Sequence, residues 1–135
     1  MSREIAYEAE TDGIIVRVQP SFLEEESSPD DHRFMWAYRV EIENRGGKRV
    51  QLMTRHWRIT DSDGRVQEVN GSGVVGQNPV LEPGGRFEYT SGAPLTTPSG
   101  MMQGSYTMED EAGGTMDARI PLFALDSPYD ERRPN

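Results

Sequence analysis

The chain has 135 residues, enough for one domain with a buried core, and 34% of them are hydrophobic. It carries 14 Lys and Arg against 23 Asp and Glu, and the formal net charge of −9 argues against nucleic-acid binding because it repels phosphate backbones. It has no cysteine, which excludes disulfides, thiolate metal sites and cysteine nucleophiles.

The N-terminal residues 1–13 have no signal-peptide pattern, and we expect them to be flexible. No apolar run in the chain reaches membrane-spanning length, so we expect a cytoplasmic protein without membrane insertion. In residues 14–19, a period of two places Ile14, Val16 and Val18 on one face, and Pro20 ends the run, which predicts a first or edge strand. The acidic residues 24–31 then indicate a loop.

Two long strands follow this loop. Residues 34–44 alternate aromatic or aliphatic side chains with polar ones, which indicates one face in the core and one in water. Residues 50–61 form the second strand, but its pattern changes parity, since Leu52 fits one phase and Trp57 the other. We therefore predict a β-bulge or a switch of packing partner between Leu52 and Trp57.

The remaining elements are short strands between turns. Asp63-Gly64 predicts a hairpin turn before a strand at residues 65–69, and later strands are expected near residues 86–91, 101–108 and 115–121. About seven strands at this spacing predict an all-β antiparallel sandwich of the fibronectin type III or immunoglobulin-like kind. We assign residues 14–125 to this domain and residues 126–135 to a flexible tail.

A glycine-rich segment offers a candidate ligand site. Gly71, Gly73 and Gly76 spell GxGxxG, but no helix follows, so a Rossmann-type role is disfavoured. The loop amides could instead form an anion-binding nest. The structural alternative is that the glycines only allow a bulged loop with positive φ. Alternation places Arg55 with Trp57 on one strand face and Arg58 on the other.

These residues define a small-ligand hypothesis. If the bulge aims Arg55 toward the glycine loop, its guanidinium could bind a phosphate or a carboxylate, and Arg58 is a second source of charge. This hypothesis predicts a ligand that contains pyrophosphate or a nucleotide. It competes with the reading in which Trp57 is simply buried and Arg58 faces solvent.

Metal binding and catalysis have weaker support. His32 and His56 lack the spacing of paired metal ligands, and the clustered Asp and Glu residues suit turns better than a calcium loop. No Gly-x-Ser-x-Gly elbow or other catalytic constellation is present. We therefore expect no metal site, no cofactor and no enzymatic activity.

Six blocks in order resemble the bacterial ApaG family. They are SSPD (27–30), YRVEIEN (38–44), RHWRITD (55–61), GSGVVG (71–76), YTSG (89–92) and MQGSY (102–106). The resemblance runs from about residue 14 to 125. It implies a fibronectin type III-like sandwich and a family that is linked to cobalt and magnesium efflux, with related domains appended to eukaryotic F-box and polymerase-associated proteins.

Three functions remain open at this point. The first is a protein-interaction module, in which Val74, Val75 and Leu95 form one exposed apolar patch for an unknown partner protein. The second is the small-ligand binder described above, and the third is a role in divalent-cation homeostasis that rests on the resemblance and the net charge. We expect a monomer or a weak homodimer.

Overall fold

The computed structural model describes residues 6–130, which form nine β-strands and two short 3₁₀ turns. The strands are β1 Tyr7–Thr11, β2 Ile14–Phe22, β3 Phe34–Asn44, β4 Val50–Asp61, β5 Val66–Ser72, β6 Val80–Leu81, β7 Arg86–Leu95, β8 Gly100–Asp110 and β9 Thr115–Leu125. The 3₁₀ turns, Glu24–Glu26 and Pro29–Asp31, occupy the expected acidic loop. No helix in residues 6–130 has the length and apolarity needed to cross a membrane.

Two antiparallel sheets pack into a sandwich, which confirms the predicted fold class. The first sheet has the order β1-β2-β3-β7, and the second has β5-β4-β8-β9 with β6 beside β4. The described chain has nine strands rather than about seven, because the pattern of β1 and the two-residue β6 were not recognised.

The prediction of a flexible N-terminus is wrong for the described residues 7–11, which form strand β1. Strand β1 pairs with β2 along its whole length, from Tyr7 opposite Val18 to Thr11 opposite Ile14. Strand β2 is therefore not an edge strand, because β1 and β3 flank it. The reason is a period of two, in which Tyr7 and Ala9 are half-buried while Glu8 and Glu10 are exposed. Residues 1–5 lie outside the described part of the chain.

The core fills the space between the two sheets with interlocking aromatic side chains. Trp57 contacts Tyr38 edge-on at a centroid distance of 5.3 Å and Phe123 at 6.0 Å. Both tryptophans are almost fully buried. Such aromatic burial compensates for the low hydrophobic fraction, since each ring removes a large area from water.

A bulge in β4 confirms the predicted change of parity. The register of β4 against β8 shifts between Leu52 and Thr54, so Met53 is the additional residue. Leu52 and Trp57 consequently both face the core although an even number of residues separates them. The amide of Asn78 donates to the carbonyls of Leu52 and Met53 at 3.1 Å each, which holds the bulge in place.

The predicted C-terminal tail is packed in its first part, which is a second correction. The indole of Trp36 donates to the Asp126 carbonyl at 2.8 Å, and the buried Ser127 hydroxyl donates to the Pro98 carbonyl at 2.6 Å. Tyr129 contacts the ring of Phe22 at 6.0 Å. The tail orders because a buried indole N–H needs an acceptor. Residues 131–135 lie outside the described range.

The outer face of the first sheet is a network of ion pairs. Arg17 contacts Glu8, Glu41 and Glu43 at 2.7–3.0 Å. Hydrogen bonds from Arg45 and Arg17 lower the pKa of Glu43. Arg39 and Arg86 also pair with glutamates on this face. The arginines of the first sheet are thus used within the protein.

Candidate functional site

The glycine-rich motif is a hairpin tip rather than a phosphate loop. Gly71 lies opposite Arg55 in the β5–β4 ladder, and Val74 bridges to Gln77. Val75 and Gly76 between them have φ values of 43° and 79°, which defines a type I′ turn. The amide of Val74 donates to the Gln77 carbonyl, and the amide of Gln77 donates back to Val74, both at 2.8 Å. Several of the donors that an anion would need are therefore already used.

Arg55 reaches this loop, as predicted, but it binds the backbone. Its Nη1 donates to the carbonyls of Ser72 at 3.0 Å and Gly73 at 2.8 Å. The loop thus presents carbonyl oxygens to the guanidinium, and these would repel an anion. Gly71 makes the approach possible, since a Cβ there would lie 2.7 Å from the Arg55 Cζ. The motif therefore has a structural explanation.

Arg55 also faces three tyrosines inside the sandwich. Burial raises the pKa of Tyr38, Tyr89 and Tyr106, and the nearby positive charge of Arg55 opposes this rise. The buried hydroxyls of Tyr89 and Tyr106 form a short hydrogen bond with each other. Arg58 lies on the opposite face of β4, as the alternation predicted, and is exposed. Arg55 and Arg58 consequently do not contribute to one site.

The apolar patch expected from Val74, Val75 and Leu95 does not form. Val74 is only 1% exposed, because it belongs to the core, and Leu95 is partly buried against that core. Of the three, only Val75, at 53% exposure, has its side chain at the surface. The type I′ turn causes this difference, because it reverses the chain between a buried residue and an exposed tip.

Val75 is strained, and we expect Val75→Asn to stabilise the protein by about 1 kcal/mol. A β-branched residue is rare at its φ of 43°, whereas Asn-Gly is the preferred pair for a type I′ turn. The urea midpoint should rise with an unchanged slope, which equilibrium unfolding measures. Val75→Thr keeps the branched shape and should give no gain. Equal midpoints for the Asn and Thr variants would contradict the strain argument.

The outer face of the second sheet carries an apolar row at one end. Val66 and Met101 both lie opposite Thr60, so the three side chains form one rung across β5, β4 and β8. Val66 is 48% exposed and Met101 is 46% exposed. Leu122, at 50% exposure, lies on β9 where the register against β8 shifts. We call Val66, Met101 and Leu122 the apolar row.

A groove of about 700 Å³ adjoins this row. It is lined by Tyr7, Glu8, Ala9, His56, Arg58, Gln103, Gly104, Ser105, Arg119, Ile120, Pro121 and Leu122. Arg58 and Arg119 both line it, and neither guanidinium makes a hydrogen bond or ion pair with any described residue, although the Arg119 amide donates to the Thr11 hydroxyl at 3.0 Å. We call this feature the arginine groove. Arg119 was missed because only strand pairing brings β9 beside β8, one strand from β4.

His56 is held toward β5 and away from Ser105. Its Nδ1 lies 2.7 Å from the Asn70 Oδ1, and its Nε2 lies 3.3 Å from a Glu68 carboxylate oxygen. Both ring nitrogens are thus occupied by β5, although Ser105 is the cross-strand neighbour of His56 on β8. A serine nucleophile activated by this histidine would require a direct contact between them. His56 thus links β4 to β5 through Asn70 and Glu68.

Metal ligands are not clustered in the described chain. No group of three or more His, Asp or Glu side chains in residues 6–130 is placed to hold a metal ion. His32 lies in a turn before β3 with a φ of 54°, and His56 lies in the middle of β4.

Fold and surface together define a two-sheet antiparallel β-sandwich with an exposed, arginine-bearing sheet face. Within it, residues 24–110 match the family model described as "DUF525: ApaG domain". This match covers more than half of the chain, and the chain belongs to the ApaG domain family.

Full-length relatives agree with this assignment. The chain is 57% identical over 129 residues to Protein ApaG of Paramagnetospirillum magneticum, which covers 96% of this chain and 99% of the relative. It is 60% identical over 123 residues to Protein ApaG of Methylorubrum extorquens, covering 91% and 95%. The crystal structure of a protein described as ApaA from Bordetella pertussis has a TM-score of 0.83 at 46% identity, covering 86% and 94%.

Proposed function

We propose that the protein is a non-enzymatic binding module that contacts a partner protein through the outer face of its second sheet. The observation that carries this proposal is the apolar row. Three large hydrophobic side chains, each about half exposed, lie on the outer face of one sheet, with Val66 and Met101 on either side of Thr60 and Leu122 on β9. Scattered apolar residues on a surface are ordinary, whereas contiguous ones favour an interface.

The register of the strands places Val66 and Met101 at the same level of the sheet, one strand apart from Thr60 on each side. Neighbouring strands lie about 4.8 Å apart, so Val66 and Met101 lie about 10 Å apart with Thr60 between them. The contrast with the first sheet also supports this face, since the outer side of the first sheet is covered by ion pairs around Arg17. A partner would have to break those ion pairs there, but would find free apolar area on the second sheet.

Site-specific photo-crosslinking in the native host tests the proposal. A benzophenone amino acid is placed at Met101, in the apolar row, and in a matched protein at Val75, which has similar exposure at the hairpin tip. We expect a discrete protein adduct on irradiation of the Met101 variant and none from the Val75 variant. Contact within a few ångströms is needed for the adduct, so it reports the face directly.

The outcomes separate two surfaces. An adduct from the Val75 variant alone would move the interface to the hairpin tip, and the absence of adducts from both would overturn the binding-module proposal. Circular dichroism of both variants shows whether the sandwich is retained. Both positions are exposed, so we expect unchanged spectra.

The divalent-cation link that the family resemblance implies is also part of the proposal. We propose that any such effect acts through the partner, and that the protein works in the cytoplasm. The pyrophosphate alternative has less support than the partner-binding role. Its glycine loop uses the Val74 and Gln77 amides internally, and its Arg55 binds backbone carbonyls.

A further inference from the structure

We propose that the arginine groove binds an acidic segment of the partner, with Arg58 and Arg119 each donating hydrogen bonds to a carboxylate of an extended peptide. This inference rests on the proposed function, because it names the chemistry that the same sheet face recognises. Its two arginines are not part of the apolar row, although Leu122 belongs to both features, so variants of the arginines and of Met101 test the two ideas separately.

The first step is the free charge of the groove. The chain has 23 acidic residues and 14 basic ones, so an arginine on its surface has many potential partners. Arg17, Arg39 and Arg86 of the first sheet all use them. Arg58 and Arg119 contact no acidic side chain in residues 6–130, although Glu68 lies directly opposite Arg58 in the sheet. Two unused guanidinium groups in one groove form a site for anions.

The second step is the polar floor between these arginines. Gln103 and Ser105 of β8 line the groove, and their side chains make no hydrogen bond within the described residues. An amide and a hydroxyl can each donate to a carboxylate or to a peptide carbonyl. The groove thus offers four side chains with unused donors on three adjacent strands.

The third step is the spacing of the two charges. Arg58 lies opposite Gln103, and Arg119 lies opposite Ser105, so one strand and one pair of residues separate them. With strands about 4.8 Å apart and about 3.4 Å per residue along a strand, their Cα atoms are about 12 Å apart. An extended peptide covers about 13 Å in four residues. The spacing fits acidic residues at positions i and i+4 on one face of such a peptide.

The walls of the groove favour a peptide over a nucleic acid. Leu122, at 50% exposure, gives one side an apolar surface, which suits an aliphatic side chain between the acidic residues. Glu8 lines the same groove, and the whole molecule has a net charge of −9. This field repels every anion, but a long phosphate backbone carries a charge at each nucleotide, whereas a segment with two carboxylates has both charges paired with the arginines.

Fluorescence anisotropy of a labelled probe peptide tests the inference with the full chain. The probe is a nine-residue peptide that alternates Glu and Val, and its control has Gln in place of every Glu. We expect saturable binding of the Glu peptide at low salt and weak binding of the Gln peptide. The double variant Arg58→Glu/Arg119→Glu should weaken the Glu peptide about 100-fold, since each lost charge-assisted contact accounts for about tenfold.

Arg33→Glu is the matched control. Arg33 is exposed and, like Arg58 and Arg119, makes no side-chain hydrogen bond or ion pair with the described residues, but it lies in the turn before β3. It makes the same change in charge per site at a distance from the groove. We expect its affinity for the Glu peptide to stay within about twofold of the native protein, because only long-range charge is altered.

Three results would overturn the inference. These are no binding of the Glu peptide, equal affinity of the double variant, or tighter binding of a single-stranded oligonucleotide than of the peptide at the same groove. If the Met101 photo-adduct persists while the double variant behaves like the native protein, the proposed interface stands and the acidic segment fails. If the Met101 photo-adduct is absent while the arginines still bind the Glu peptide, the acidic-segment inference stands and the interface at the apolar row fails.

Discussion

Replacing Gly104 with Ala is expected to lower the free energy of unfolding by about 3 kcal/mol or more, because the new Cβ would meet backbone rather than a movable side chain. It would lie less than 3.0 Å from the His56 carbonyl oxygen and 3.2 Å from the Trp57 Cα. Strand β4 would have to move away from β8 at the centre of the second sheet. Such a shift would break ladder hydrogen bonds beneath the arginine groove.

Equilibrium urea unfolding measures this effect, with Gly47→Ala as the control. Gly47 lies in the turn after β3, and an added Cβ there has no atom within 4 Å. The control should therefore stay within about 0.5 kcal/mol of the native protein. A Gly104→Ala midpoint equal to that of the control would show that β4 and β8 are further apart than the structure has them.

Replacing Gly73 with Ala should be similarly severe, by about 3 kcal/mol or more, for two combined reasons. Gly73 has a φ of 65°, which an L-residue with a side chain adopts only at a cost. An added Cβ would also lie less than 3.0 Å from the Gln77 carbonyl oxygen across the hairpin. Both effects act on the segment that holds Arg55 through the Gly73 carbonyl.

Gly76→Ala is the informative comparison for the same measurement. Gly76 has a φ of 79°, but no atom lies within 4 Å of the position of an added Cβ. It should lose about 1 kcal/mol, from backbone conformation alone. If the motif is structural, Gly73→Ala should therefore lower the free energy of unfolding more than Gly76→Ala does. If the two alanine variants were equally stable, while both lost affinity for pyrophosphate, the motif would be a ligand loop instead.

The two strands β3 and β4 illustrate how much of the fold could be predicted from the sequence. Their period of two predicted both spans and the opposite faces of Arg55 and Arg58, because local alternation decides which side chains face the core. The change of parity in β4 predicted a bulge or a switch of packing partner between Leu52 and Trp57, and the structure has the bulge. Strand β1 was missed because the alternation in Tyr7-Glu8-Ala9 is too short to predict a strand. Its extended conformation depends on pairing with β2. Propensity alone cannot register such long-range support.

The candidate site was less accessible to sequence reasoning. The glycine spacing suggested an anion-binding loop at Gly71, Gly73 and Gly76. A sequence motif does not show whether the backbone N–H groups or the carbonyls of a loop point outward, because the fold decides this. Val74 looked like an exposed partner of Val75, but the type I′ turn places it in the core. No signal in the sequence marks Met101, Leu122 or Arg119, because each is an ordinary outward-facing residue of its own strand.

The sequence by itself determined the class of fold, the family, and the alternation of buried and exposed faces along each long strand. These properties follow from local patterns, because the period of two depends only on neighbouring residues. The tertiary structure alone decided which outward residues become neighbours. Arg58 and Arg119 share a groove because β8 pairs with both of their strands, and they are distant in sequence. Strand pairing joins residues at any sequence separation, and no local pattern encodes that choice.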